Sequence, residues 1–221
     1  MATTVTTIKT RIKNILNRTD IDTHIDSAFS TVYEALQQER DWKKQEAVER
    51  TLASTVTYQI SLPSDYKSPN PSVDPLIRIE GTDLTVSLVP SSFYEMTSFA
   101  NILLRRKEGA DVDSEDTGTP KSFAIYIDKI EIFPKNLGTG DHFVFQYLKT
   151  LSEPASGSSD WFTNHGFDLL MYDSLIYLAP LLGEVDDRVP VWTIKRVDAF
   201  NRLMGLDIAL RYAGQDLVMY G

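Results

Sequence analysis

Between Asn164 and Leu182 the segment NHGFDLLMYDSLIYLAPLL places apolar residues around nearly the whole of a helical wheel. Phe167, Leu170, Met171 and Leu178 fall on one side, and Leu169, Tyr172, Ile176 and Ala179 on another. A helix with one apolar stripe lies on a core, whereas a helix apolar on every side must be covered by several elements or by another subunit. Pro180 removes a backbone bond near Ile176 and should kink or end this helix, with Gly183 closing the last turn.

A second constraint is the stretch from Thr117 to Thr150. Gly118-Thr119-Pro120 leads into Ser122–Ile127, a reversal at Asp128-Lys129, then Ile130–Pro134, a turn at Gly138-Thr139-Gly140, and His142–Lys149. Phe143, Phe145 and Tyr147 alternate with Val144, Gln146 and Leu148, the period of a strand with one buried face. The expectation is a three-stranded antiparallel meander covered by helices.

The remaining segments fall into helices at both ends and short strands between. Ile8, Ile12, Ile15 and Leu16 mark a helix over Thr4–Leu16, which with Arg18 carries four basic residues and no acid, and which should pack beside Asp20, Asp22 and Asp26. Asp20 or Asp22 is expected to cap a second helix with Ile25, Phe29, Val32 and Leu36 on one face, ending in Arg40-Asp41-Trp42. Val48–Ala53 with Val56–Leu62, and Leu76–Glu80 with Leu84–Val89, read as hairpins. Residues 67–75 hold three of the ten prolines and read as an extended loop. Ser91 or Ser92 should start a helix to residue 104 with Phe93, Met96, Ala100 and Leu103 in a stripe.

Ser152–Asp160 reads as a flexible linker by composition. Pro190 suits the first turn of a final helix over Val191–Tyr212, with Trp192, Ala199, Leu203, Leu206 and Leu210 in a stripe. Asp198–Arg202 and Asp207–Arg211 are expected as ion pairs on its outer face. The fold class is therefore α+β: a helical bundle of the N-terminal helices plus two long C-terminal helices, with an antiparallel β-rich lobe inserted. The expected boundaries are 1–42, 43–150, 151–214 and a short tail at 215–221.

Composition narrows function. The chain has 221 residues, no cysteine and a net charge of −9, which removes disulfides, thiolate nucleophiles and Cys-based metal sites. An acidic chain is a poor wrapper of nucleic acid, since phosphate binding rests on Lys and Arg. No apolar run reaches membrane-spanning length. Asp111-x-Asp113-x-Glu115 fails as a calcium loop, because Asp116 occupies the glycine position and Ser122 the bidentate glutamate position. His24 reads as a surface or cap residue. His165 with Asp160 and Asp168 can be written as a base with its orienter, but no activated nucleophile accompanies them. Catalytic, cofactor and metal residues are therefore expected to be absent.

The order of segments resembles the phage head-to-tail adaptor (connector) proteins. It is carried by IDTHIDSAFSTVYEALQQ ending in Arg40-Asp41-Trp42; Leu62-Pro63-Ser64-Asp65-Tyr66; Gly118-Thr119-Pro120 followed by AIYIDKIEIFP; a strand ending near Tyr147; and LLMYDSLIYLAPLLGEVDDRVPVW followed by KRVDAFNRL. The resemblance covers residues 20–204. It implies a structural virion protein that forms a homo-oligomeric ring, usually of twelve, between the portal protein and the tail or nozzle protein, with tail fibres as further neighbours. Genomic DNA would pass through without sequence-specific binding. It also implies a place in the virion neck, with assembly in the host cytoplasm, and no cofactor.

On this reading Leu169, Tyr172, Ile176 and Trp192 are the expected inter-subunit packing residues. The apolar tail Gln215, Asp216, Leu217, Val218, Met219 and Tyr220 is the expected portal-docking segment. Two alternatives are another phage tail or baseplate component, and a carboxylate hydrolase of cell-wall glycan, which requires neighbouring acids in a cleft.

Overall fold

The computed structural model describes residues 3–52, 57–72, 77–80, 95–97, 100–101, 122–136, 142–183 and 188–213. Among these the chain is mixed helix and sheet. Its helices are α1 (Val5–Leu16), α2 (Asp22–Glu39), α3 (Trp161–His165), α4 (Phe167–Leu181) and α5 (Arg188–Tyr212). Its strands are β1 (Glu46–Leu52), β2 (Thr57–Ser61), β3 (Tyr66–Pro69), β4 (Ile77–Glu80), β5 (Glu95–Met96), β6 (Ser122–Tyr126), β7 (Lys129–Asn136) and β8 (His142–Lys149). The contacts divide into two compact units, residues 1–44 with 151–221, and residues 45–150.

In the helical unit α1 buries Val5, Ile8, Ile12 and Leu16, and α2 buries Ile25, Phe29, Val32 and Leu36, as their spacing requires. The basic face of α1 meets the acids as expected: Lys9 pairs with Asp26 at 2.9 Å and Lys13 with Asp22 at 2.7 Å. The cap of α2 differs from expectation. Ile21 occupies it with no side-chain bond, because its buried side chain seals the core. Asp20 instead takes two hydrogen bonds from Arg18, at 3.1 and 2.9 Å, and that guanidinium holds its carboxyl down at about 2. α2 stops at Glu39, and Trp42 turns back into the core, where its indole N–H donates to Leu36 O at 2.8 Å.

Ser152–Asp160 is a pinned strap. The amides of Val5 and Thr6, two of the unpaired donors at the start of α1, donate to Ser158 O at 3.2 Å and Ser156 O at 2.9 Å. Ser30 Oγ donates to Glu153 at 2.5 Å. Buried Gln37 pairs with the backbone of Leu151 in both directions, at 3.0 and 2.6 Å, as a strand would. Composition read this segment as a linker because it cannot show acceptors waiting for a helix start.

The apolar helix is interrupted at Gly166, which separates α3 from α4. A Cβ at Gly166 would lie 2.8 Å from Phe162 O of α3 and 3.2 Å from Leu203 Cδ2 of α5, so glycine alone fits without displacement between the α3 backbone and α5. α3 is fixed by a capping box between Asp160 and Thr163. Pro180 sits one residue before the end of α4, and Gly183, at φ 67°, closes it in the left-handed conformation. α5 begins at Arg188, so Pro190 lies in its first turn, where its missing N–H costs nothing. Of its expected stripe Trp192, Ala199 and Leu203 are buried, while Leu206 is exposed. Arg202 pairs with Asp168 of α4 at 2.8 Å rather than with Asp198.

The β unit holds two small sheets. β8 lies between β1, paired along its whole length from Glu46↔Leu148 to Leu52↔His142, and β3 and β4, which follow one another along its other edge. The second sheet has the order β2-β7-β6-β5, antiparallel except for the β5–β6 pair. Ile60, Phe123, Ile130 and Ile132 of one sheet meet Phe143, Phe145 and Tyr147 of the other in one core.

Four expectations change here. The meander breaks after β7, since β8 belongs to the other sheet. β1 and β2 likewise join different sheets rather than a hairpin. Of residues 67–75, expected as loop, 67–69 belong to strand β3. Glu95–Met96, expected in a helix, pairs with Ser122–Phe123 as a parallel strand, while Ala100 and Asn101 are helical. Period-2 alternation fixes the buried face of a strand but not its neighbour. β8 is also buried on both faces, with Val144 fully buried and Leu148 at 1 % exposure. The Leu84–Val89 strand, Phe93, Leu103, the acidic segment 108–116, Gly118–Pro120 and Gly138–Gly140 lie outside the described residues.

Candidate functional site

α4 is covered by α1, α2 and α5, yet not on all sides. It buries Leu169, Leu170, Met171, Leu175, Leu178 and Ala179, while Tyr177 is 42 % exposed and Leu181 60 %. Its open side forms the floor of a groove of about 550 Å³, walled by Val32, Ala35 and Leu36 of α2 and by Ile176 and Tyr177 of α4. Part of what the described residues leave uncovered on the all-apolar helix is therefore this groove.

The rim is an ionic triad. Arg196 of α5 donates from Nε to Asp173 at 2.8 Å and from Nη2 to Glu39 at 2.5 Å, so one guanidinium ties three helices together. Burial pushes the Asp173 carboxyl above its usual range, and Arg196 only partly restores it. Burial opposes the charge on Arg196, but its bonds to Asp173 and Glu39 outweigh that and hold its pKa above the ordinary value. The triad's own donors and acceptors are thus largely used on one another. What the groove offers a visitor is apolar wall, which suits a protein side chain better than a reacting group.

A second constellation binds the chain to itself. Asp207 of α5 is fully buried and accepts from the Lys43 backbone N–H at 2.6 Å, from Arg211 at 3.0 Å and from Arg40 at 3.4 Å. Arg211 also donates to Asp41 O. The expected Asp207–Arg211 pair exists, but as an internal knot rather than an outer-face pair. The clue was available: Asp207 follows Leu203 by four and so continues the buried stripe.

The motif Leu62-Pro63-Ser64-Asp65-Tyr66 has a plain role in the β unit. Asp65 accepts the Tyr147 hydroxyl at 2.8 Å and the Thr150 amide at 2.7 Å, so the turn clamps the end of β8. Burial, and then the hydrogen bond to Asp65, raises the Tyr147 phenol well above its ordinary value.

The expected assembly residues separate. Leu169 is fully buried and Trp192 is 5 % exposed, both in the unit's own core, so neither offers surface to a neighbour. Tyr172 is half-buried beneath Lys195, and Ile176 lines the groove. Gln215, Asp216, Leu217, Val218, Met219 and Tyr220 lie outside the described residues. Val32, Ala35 and Tyr177 were missed, because no periodicity marks a helix face as left open.

His165 and its two acids do not form a base with an orienter. Asp160 accepts from Tyr33 at 2.5 Å and from Thr163, Asp168 holds Arg202, and the exposed His165 ring lies against Trp161. Among the described residues no three His, Cys, Asp or Glu side chains come together to hold a metal, and no helix is long and apolar enough to cross a membrane.

No curated protein matches the chain. A family model described as SU10 adaptor protein matches residues 3–216, from just before α1 to beyond the end of α5. With both units spanned by that match, the chain belongs to the SU10 adaptor protein family, a phage head-to-tail adaptor family.

Proposed function

We propose that this structural adaptor forms a ring, a closed homo-oligomer of about twelve copies, between the portal and the tail of a phage virion, and that the ring lines the channel through which DNA leaves. The family match over residues 3–216 is the observation that carries this reading. The helices of residues 1–42 and 151–214 act as a bundle into which the β-rich segment 43–150 is inserted. Tyr172 and Ile176 face neighbouring copies.

The charge supports the channel. Each chain carries −9, so a ring of that size would hold on the order of one hundred negative charges, a wall that repels the duplex and lets it slide. The helical unit faces the portal, the tail from Gln215 to Tyr220 docks there, and the β unit faces the tail or nozzle protein and its fibres.

Co-sedimentation with a purified portal ring tests the reading. The full chain should travel with the portal, and a chain lacking 215–221 should stay folded but lose at least tenfold in binding. Failure of the full chain to bind any portal assembly would remove the adaptor placement; unchanged binding by the truncated chain would remove the role of the tail.

A further inference from the structure

α5 carries a second apolar surface, directly opposite its buried face. Val191, Ile194 and Val197 near its start and Ile208 and Tyr212 near its end lie on its outer side, exposed by 39 to 65 %, with exposed Asp198 and Asn201 between the two groups. Trp192, Ala199 and Leu203 point the other way into the core. Together the two groups expose on the order of 500 Å², more than half of the ~800 Å² each partner contributes to a stable interface.

Gly205 lies on the same outer line. Among the described residues nothing stands within 4 Å of where its Cβ would be, so their packing gives no reason for a glycine in mid-helix. A glycine there does let another element approach the helix backbone closely.

We infer that this ridge on α5 seats in the α2–α4 groove of the next copy of the same chain, so that each copy gives a ridge to one neighbour and a groove to the other. The inference rests on the ring reading and names the surfaces that make the ring. Ridge and groove are different surfaces of one unit, and both are apolar. Ridge against ridge would close two copies and leave the groove on each empty. Ridge into groove is heterologous, and heterologous contacts close into rings when the rotation permits. The groove's size, about 550 Å³, gives room for several large side chains between Ala35 and Tyr177.

The chain has no cysteine, so single thiols report cleanly. One tagged chain would carry Ile194→Cys on the ridge and a differently tagged chain Ala35→Cys on the groove wall. The two are mixed, assembled on a purified portal ring, imaged and oxidised. Covalent pairs of unlike tags should exceed like pairs at least tenfold, and adding Gly205→Leu to the ridge chain should cut that yield at least tenfold without changing its circular dichroism.

Like pairs of Ile194→Cys would mean ridge meets ridge, and would overturn the inference. An imaged ring without unlike pairs would overturn it while leaving the ring itself standing. Absence of both ring and cross-link would remove the ring reading and this inference together. Slow thiol labelling of Ile194→Cys in the isolated monomer would show that its own chain covers the ridge, which also overturns it.

Discussion

Asp207 is a charge that the fold can bury only because three donors reach it. A buried carboxylate is tolerated when paired and fully hydrogen-bonded, and removing it strands its partners. Asp207→Ala should lower the unfolding free energy by about 3 kcal/mol, and Asp207→Asn by about half as much, because the amide oxygen still accepts the Lys43 amide. Urea denaturation reads both, and a loss below about 1 kcal/mol for the alanine variant would contradict this role. The phenols of Tyr33 and Tyr147 give a pH signature. Burial is the main cause of each raised pKa, and the hydrogen bonds to Asp160 and Asp65 add to it. With a folded pKa above the unfolded value of about 10, each contributes stability that is complete below that pH and is lost as pH rises toward the folded value. Stability should therefore fall above about pH 10, and fall less in a Tyr33→Phe, Tyr147→Phe variant. An equally steep alkaline loss in that variant would contradict the assignment. The place of Asp207 on the buried stripe can be read from its spacing to Leu203, but its donors and the burial of these tyrosines cannot, since they are set by partners that are distant along the chain.

At the scale of elements, helix faces were legible and pairings were not. Ile8, Ile12 and Leu16 in α1, and Ile25, Phe29, Val32 and Leu36 in α2, were buried as their period requires, because a helix face is a local property. The acids opposite α1 were legible too, as Lys9–Asp26 and Lys13–Asp22 show. The partner of β8 was not, because the residues that choose between β7 and β1 lie about ninety positions apart along the chain. The continuous apolar reading across Gly166 concealed the break between α3 and α4. Two glycines test the packing with opposite signs. Gly166→Ala should cost about 2 kcal/mol, because its Cβ would stand 2.8 Å from a backbone carbonyl. Gly205→Ala should add about 0.5–1 kcal/mol, because it improves an open helical site. Thermal and urea unfolding of the two variants checks this; a stabilising Gly166→Ala would contradict the tight turn at the α3–α4 junction.

For the whole molecule, the order of segments carried more than any one of them. Arg40-Asp41-Trp42, the Leu62–Tyr66 turn and the α4–α5 pair are each short, yet the structure gives each a mechanical reason. Trp42 fills the helical core, Asp65 clamps β8, and Arg196 and Asp207 lock α5 to the elements beside it. The groove was beyond sequence reasoning, since an apolar helix does not say which of its sides its own chain leaves open. The central proposal is that this chain, a member of a phage adaptor family, joins a portal to a tail. Particle imaging of the protein mixed with a purified portal ring, beside the protein alone, addresses it most directly. The account predicts a second ring, coaxial with the portal, present only in the mixture or enriched there. A protein that remains dispersed beside bare portals would contradict it.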